Sequence, residues 1–228
     1  GGNIMADRFI SCAGCLLGMA VGDAMGYTVD EKTWEEITED YGPNGLLGYD
    51  IVNGSPQVSS YTQIGAYAAN GLLLGVTRGR PELFIKYVQI AMREWAKRQN
   101  LPGDPGRYYC WVSHVPSLRR KHCRDSRMLD ALRLQNLGTV DEPRSTNANP
   151  GALTVAAMVG LAYDAKRMEP SWITELGAAS VASTHGDAEA FLSGAVLANV
   201  IAGIVREPQK ALKEQFLLAI EAMDNRYR

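Results

Sequence analysis

The chain has 228 residues, 46% of them hydrophobic and 21% charged, with a formal net charge of −2. That length suits one sizeable domain with an ample core, and the composition excludes wholesale disorder. A charge this close to balance supplies no basic face of the kind that follows a nucleic-acid backbone, so no nucleic-acid partner is expected.

Residues 1–4 precede Met5 and are set aside as an expression remnant; residues 5–228 are expected to form a single helical domain. The apolar run from Phe9 to Gly22 has the length of a signal-peptide core, but Asp23 follows it instead of a small-residue cleavage site. The same Asp23 stops it short of the ~20 apolar residues a membrane span needs, and no membrane partner is expected. Gly14, Gly18, Gly22 and Gly26 recur every fourth residue. On a helix they form a smooth stripe that another backbone can approach closely. The last of them are expected in the turn that ends the helix, where Asp23 caps or bonds backbone. Cys12 and Cys15 form a C-x-x-C inside this stretch. Zinc or redox use would need a better second pair than Cys110, His114, His122 and Cys123 offer, so the default is buried, reduced packing residues and a cytoplasmic location.

Thr33 to Glu36 fits a capping box, which predicts a short helix to about Asp40. Residues 41–45 read as a turn, and the Gly-, Ser- and Pro-rich stretch after them as a long ordered loop to Ser60. A helix is predicted from about Thr62 to Val76. Pro81 opens the next, with Phe84, Val88, Ala91 and Trp95 on one face. Residues 101–107 read as a loop and 118–136 as a helix. Arg119, Arg120, Lys121, Arg124 and Arg127 are then a solvated helix face. Residues 138–150 read as a third loop, breaking into an apolar helix over 151–163. Two more helices follow Ser171 and Asp187; the one over 188–205 is apolar almost all round and should lie at the buried centre. An amphipathic helix over 208–223 closes the chain. No stretch shows strand alternation, so the fold class is all-α.

Several motifs, in chain order, resemble those of the ADP-ribosylglycohydrolase family, especially its bacterial, dinitrogenase-reductase-activating type. They are C-L-L-G-M-A-V-G-D-A-M-G at 15–26, Y-G-P-N-G at 41–45, V-S-S-Y-T-Q-I at 58–64, G-A-L-T-V-A-A-M-V-G-L at 151–161 and S-T-H-G-D-A-E-A at 183–190. The resemblance implies an orthogonal multi-helix bundle. It also implies hydrolysis of the bond between ADP-ribose and an acceptor such as an arginine or serine side chain, assisted by two magnesium ions. Two such ions suit the chemistry because they grip the ribose hydroxyls and position water for attack at the anomeric carbon. By resemblance, Asp23, Gly26, Thr62, Asn149, Gly151, His185 and Asp187 are the substrate-binding candidates and Asp30 the catalytic acid or base.

The departures fall on the metal ligands. Ser60 and Tyr61 stand where the family has two adjacent aspartates, which leaves Thr62 as a vestige of the set. The family's C-terminal acidic pair has no counterpart, and Asp30 occupies a position that is often Glu. No cofactor is therefore expected, with magnesium implied only for an active form. Several of these residues also have plain structural readings. His185 is a helix-capping or core-bonded histidine or else a ligand contact, while Asp187 and Thr62 read first as helix N-caps. Three functions stay open: an impaired relative that binds ADP-ribose, a nucleotide or an ADP-ribosylated protein; an active hydrolase whose C-terminal ligands lie beyond Arg228; and a helical interaction module. If the helix over 188–205 normally packs on such further residues, a homodimer would cover the exposed patch.

Overall fold

The structure is a computed structural model that describes residues 4–99, 108–123, 125–163 and 168–227. Among them are nine α-helices joined by loops and short 3-10 turns, and no strand beyond one isolated bridge between Val52 and Ser55. The all-α expectation holds. The chain divides into two compact units, Gly1–Thr62 and Gln63–Arg228. The expected loop at 101–107 and Arg124 of the basic cluster lie outside the described residues.

In the first unit, α1 spans Ile4–Gly26 and α2 spans Trp34–Tyr41. The capping box is formed as expected: Glu36 N donates to Thr33 Oγ1 (3.2 Å) and Thr33 N to Glu36 Oε2 (2.8 Å). Gly42 ends α2 at a φ of 88°, which a side chain would resist, and its N–H bonds Thr38 O. The loop that follows is ordered by its own side chains, as Gln57 Nε2 reaches the carbonyls of Val52 (3.0 Å) and Ser55 (2.9 Å). The glycine stripe of α1 does not do what its spacing suggests. A Cβ at Gly14, Gly18, Gly22 or Gly26 would meet nothing within 4 Å. Cys12 and Cys15 are only half-buried, against the expectation of buried packing residues.

Helix α3, Ser60–Thr77, carries the chain into the second unit, where α4, Phe84–Arg98, packs beside it. Phe84, Val88, Ala91 and Trp95 are all buried there. Gly71 permits the contact, since a Cβ would meet Tyr87 O at 2.6 Å. Residues 118–136 are not one helix. Only α5, Ser126–Arg133, forms, preceded by a 3-10 turn at Pro116–Arg119 and an extended piece. Side chains take the backbone groups that a helix would need. Gln99 Oε1 accepts from His122 N (2.8 Å) and Cys123 N (3.1 Å), while Arg120 O accepts from Gln63 (2.9 Å) and Gln99 (3.1 Å). The basic cluster is accordingly not one solvated helix face.

The remaining helices are α6 (Leu153–Ala162), α7 (Pro170–Ala182), α8 (Ala188–Arg206) and α9 (Leu212–Tyr227). Helix α8 packs against α6, α7 and α9, and is central to this group as expected. Close approach is bought by glycines: a Cβ at Gly160 would meet Ala198 O at 2.6 Å, and one at Gly177 would meet Gly194 O at 3.0 Å. Helix α9 buries Gln215 and Ala219 but leaves Leu212, Phe216, Leu217 and Ile220 exposed, so its burial does not follow a simple amphipathic split. By length and composition alone, Arg8–Gly26 and Ala188–Arg206 would suffice to cross a membrane; the second is a packed helix of the group just described.

Candidate functional site

The candidate residues fall into two clusters, one in each unit. In the first, Asp23 near the end of α1 reaches the start of α3 and not its own helix end. Its Oδ2 accepts from Ser59 N (2.8 Å), Thr62 N (3.1 Å) and Thr62 Oγ1 (2.5 Å). The N-cap proper is Ser59, whose hydroxyl oxygen accepts from Tyr61 N at 3.1 Å. Thr62 is therefore in the first turn, not the cap, and its own side chain donates to Asp23. Unpaired N–H groups at a helix start favour a carboxylate, and here Asp23 supplies it. Gly26 is the last residue of α1, its carbonyl accepting from Val29 N at 3.0 Å. Asp30 lies exposed in the turn that follows.

This arrangement does not fit a magnesium pair. Magnesium prefers several hard oxygen ligands in octahedral geometry, usually carboxylates. Ser60 and Tyr61 bring neutral hydroxyls, and the Asp23 oxygen nearest Thr62 already accepts from three donors. Among the described residues no group of three or more His, Cys, Asp or Glu side chains is gathered where it could hold a metal ion.

The second cluster centres on His185, whose ring is fully buried. Its Nε2 lies 2.9 Å from Asn149 Oδ1, and its Nδ1 lies 2.8 Å from Thr184 Oγ1. An amide oxygen only accepts, so Nε2 carries the hydrogen and Nδ1 accepts from the threonine, a tautomer assigned from the network. Asn149 Oδ1 also accepts from Gly151 N (2.8 Å), which caps the 3-10 turn Pro150–Ala152 leading into α6. Asn149 Nδ2 donates to Asp125 Oδ2 at 2.8 Å, and Asn147 Nδ2 donates to the same oxygen at 2.7 Å. Asp125 Oδ1 accepts from Met128 N at 3.1 Å and so caps α5. Burial by itself would raise the Asp125 pKa. The His185 ring 3.4 Å from its Oδ2, with hydrogen bonds from Asn147, Met128 N and Asn149, outweighs it and holds the carboxyl well below the usual carboxylate range.

His185 is thus bonded into the core. Asp187 is the N-cap of α8, its Oδ1 accepting from Glu189 N at 2.9 Å. Gly186 between them has no substitute, because a Cβ would meet Ser145 O at 2.2 Å. An open cleft of about 670 Å³ borders this turn, with Arg127, Arg144, Gly186 and Asp187 in its walls. The structure therefore joins Asn149, Gly151 and His185 in one network, and Asp23 with Thr62 in another. Asp125 and Asn147 went unseen in the sequence. An Asp before an apolar-spaced segment is an N-cap signal, but the basic residues around Asp125 read as a continuous helix and masked it.

Comparison with protein families matches the chain to the model described as ADP-ribosylglycohydrolase over residues 5–226, a span that covers both clusters. Comparison with curated proteins and with solved structures returns no match.

Proposed function

The chain belongs to the ADP-ribosylglycohydrolase family, and from that premise we propose that it is a catalytically impaired member that binds an ADP-ribosyl group, free or on a protein, without hydrolysing it. The observation that carries this reading is the start of α3. Hydroxyls of Ser60 and Tyr61 stand at the positions where the resemblance implies aspartates, and Asp23 is engaged as a helix-capping carboxylate. A family that is generally metal-dependent loses its Lewis acid when those charges go. The binding half of the reading is supported by the second unit. There Asn149, Gly151, Thr184 and His185 are held in one buried network beside a cleft, and Arg127 and Arg144 in its walls offer charge to a diphosphate.

Isothermal titration of the full chain with ADP-ribose, in magnesium and in chelator, tests it. Saturable binding of the same strength in both supports the reading. Binding that requires magnesium overturns the metal-free part, and no binding in either overturns the ligand.

A further inference from the structure

A second cleft in the Gln63–Arg228 unit shares no residue with the one beside the His185 turn. It measures about 440 Å³ and opens between α7, α8 and α9. That volume is in the range of small-molecule sites, whereas helix interfaces ordinarily close to a density that leaves few voids larger than water.

Its walls are mixed in a way that packing alone does not require. Ile173 and Ala202 supply an apolar floor, and Leu218, which is exposed, an apolar edge. Thr174 and Gln215, each 3% exposed, place polar groups deep between helices where apolar residues would be cheaper. Asn199 gives both amide hydrogens to protein, at 2.9 Å to Thr174 Oγ1 and 2.9 Å to Ala195 O. Its Oδ1 accepts no hydrogen bond from the described residues. The Gln215 amide is held by Glu207 O at 3.2 Å and lies over Gly203, where a Cβ would meet its Oε1 at 2.1 Å. The small residue at 203 thus makes room for that amide at the edge of the cleft.

The rim carries one cation, Arg206, and one anion, Glu175. The Arg206 guanidinium stands 5.9 Å from the centre of the Tyr163 ring and makes no ion pair among the described residues. Glu175, also at the rim, is engaged in another interaction. A cation resting on an aromatic face keeps its charge available to an incoming anion.

We propose that this cleft binds a compact aromatic organic anion, its ring between Ile173 and Leu218, a ring N–H or O–H donated to Asn199 Oδ1, and its carboxylate at Arg206. The inference does not rest on ADP-ribosyl binding.

The test uses the full chain with isoleucine and leucine methyl groups labelled for NMR, and two probes, indole-3-acetate and its neutral analogue indole-3-acetamide. Indole-3-acetate should shift the Ile173 and Leu218 methyl signals saturably, and the acetamide should bind about tenfold more weakly. Arg206→Gln should bring the two probes level. Ala222→Phe, which fills the cleft from the exposed side of α9, should abolish the shifts while leaving the other methyl signals in place. The proposal is overturned if millimolar indole-3-acetate leaves both signals unmoved, if Arg206→Gln binds it undiminished, or if ADP-ribose displaces it.

Discussion

His185 Nε2 and Asp125 Oδ2 lie 3.4 Å apart, yet the imidazole hydrogen goes to Asn149 Oδ1 at 2.9 Å, and the acid takes its two short bonds from Asn147 and Asn149. The pair is therefore joined through an amide, not set up as an acid–base couple. Asp125 ties the start of α5 to the 145–149 loop, and through Asn149 to His185. Its role in this structure is to hold the network in place.

That role has a pH signature. The folded Asp125 pKa lies below its unfolded value of about 4. A depressed carboxyl contributes stability that is complete above the unfolded value and is lost as pH falls through the folded one. The protein should therefore lose stability as the pH drops below about 4. Asp125→Asn should cost about 2 kcal/mol at neutral pH and flatten that acid slope. Urea unfolding between pH 2 and pH 7 measures both; an unchanged slope in the variant would assign the acid sensitivity to other carboxylates.

The glycines divide into two kinds with opposite expected effects. Gly160→Ala places a methyl 2.6 Å from Ala198 O and should destabilise by about 1–3 kcal/mol. Gly18→Ala lies in the interior of α1 with open space around it and should stabilise by about 0.5–1 kcal/mol through helix propensity. Thermal unfolding of the two variants should give shifts of opposite sign.

The same contrast explains what the sequence made legible. Thr33 and Glu36 were readable as a capping box because both partners lie within four residues. Phe84, Val88, Ala91 and Trp95 were readable because helical periodicity is local. Asp23 was not, since its partners Ser59 and Thr62 are 36 and 39 residues away. Nor was the break before α5, where Gln63 and Gln99 take backbone groups over separations of 57 and 23 residues. The stripe at Gly14 to Gly26 carried a strong spacing signal, but the close helix contacts fall at Gly71, Gly160 and Gly177. Spacing shows which face is smooth and leaves open whether anything packs there. The all-α class came through; Asp125, which the structure bonds to Asn147 and Asn149, was not singled out.

Cys110 offers an independent check on the packing around α4. Its thiol is pushed up to about 12, first by burial and then by the Glu94 carboxylate, which also accepts from Tyr109 N (2.8 Å) and Cys110 N (3.2 Å). Thiolates are the reactive form, so Cys110 should resist iodoacetamide at pH 8 in the native protein and react on unfolding. Glu94→Gln should loosen the 109–113 segment and speed its labelling, read by mass spectrometry. Labelling at the native rate in that variant would show that Glu94 does not anchor the segment.

The proposed lack of hydrolysis is tested by measuring release of ADP-ribose from ADP-ribosylated arginine and serine peptides across a magnesium titration. No release above the protein-free blank is expected at any magnesium concentration. The same is expected of the Ser60→Asp, Tyr61→Asp double variant, because the second acidic pair that the resemblance implies is still missing. Magnesium-dependent release that is lost in Thr62→Ala or Asp30→Asn would contradict it.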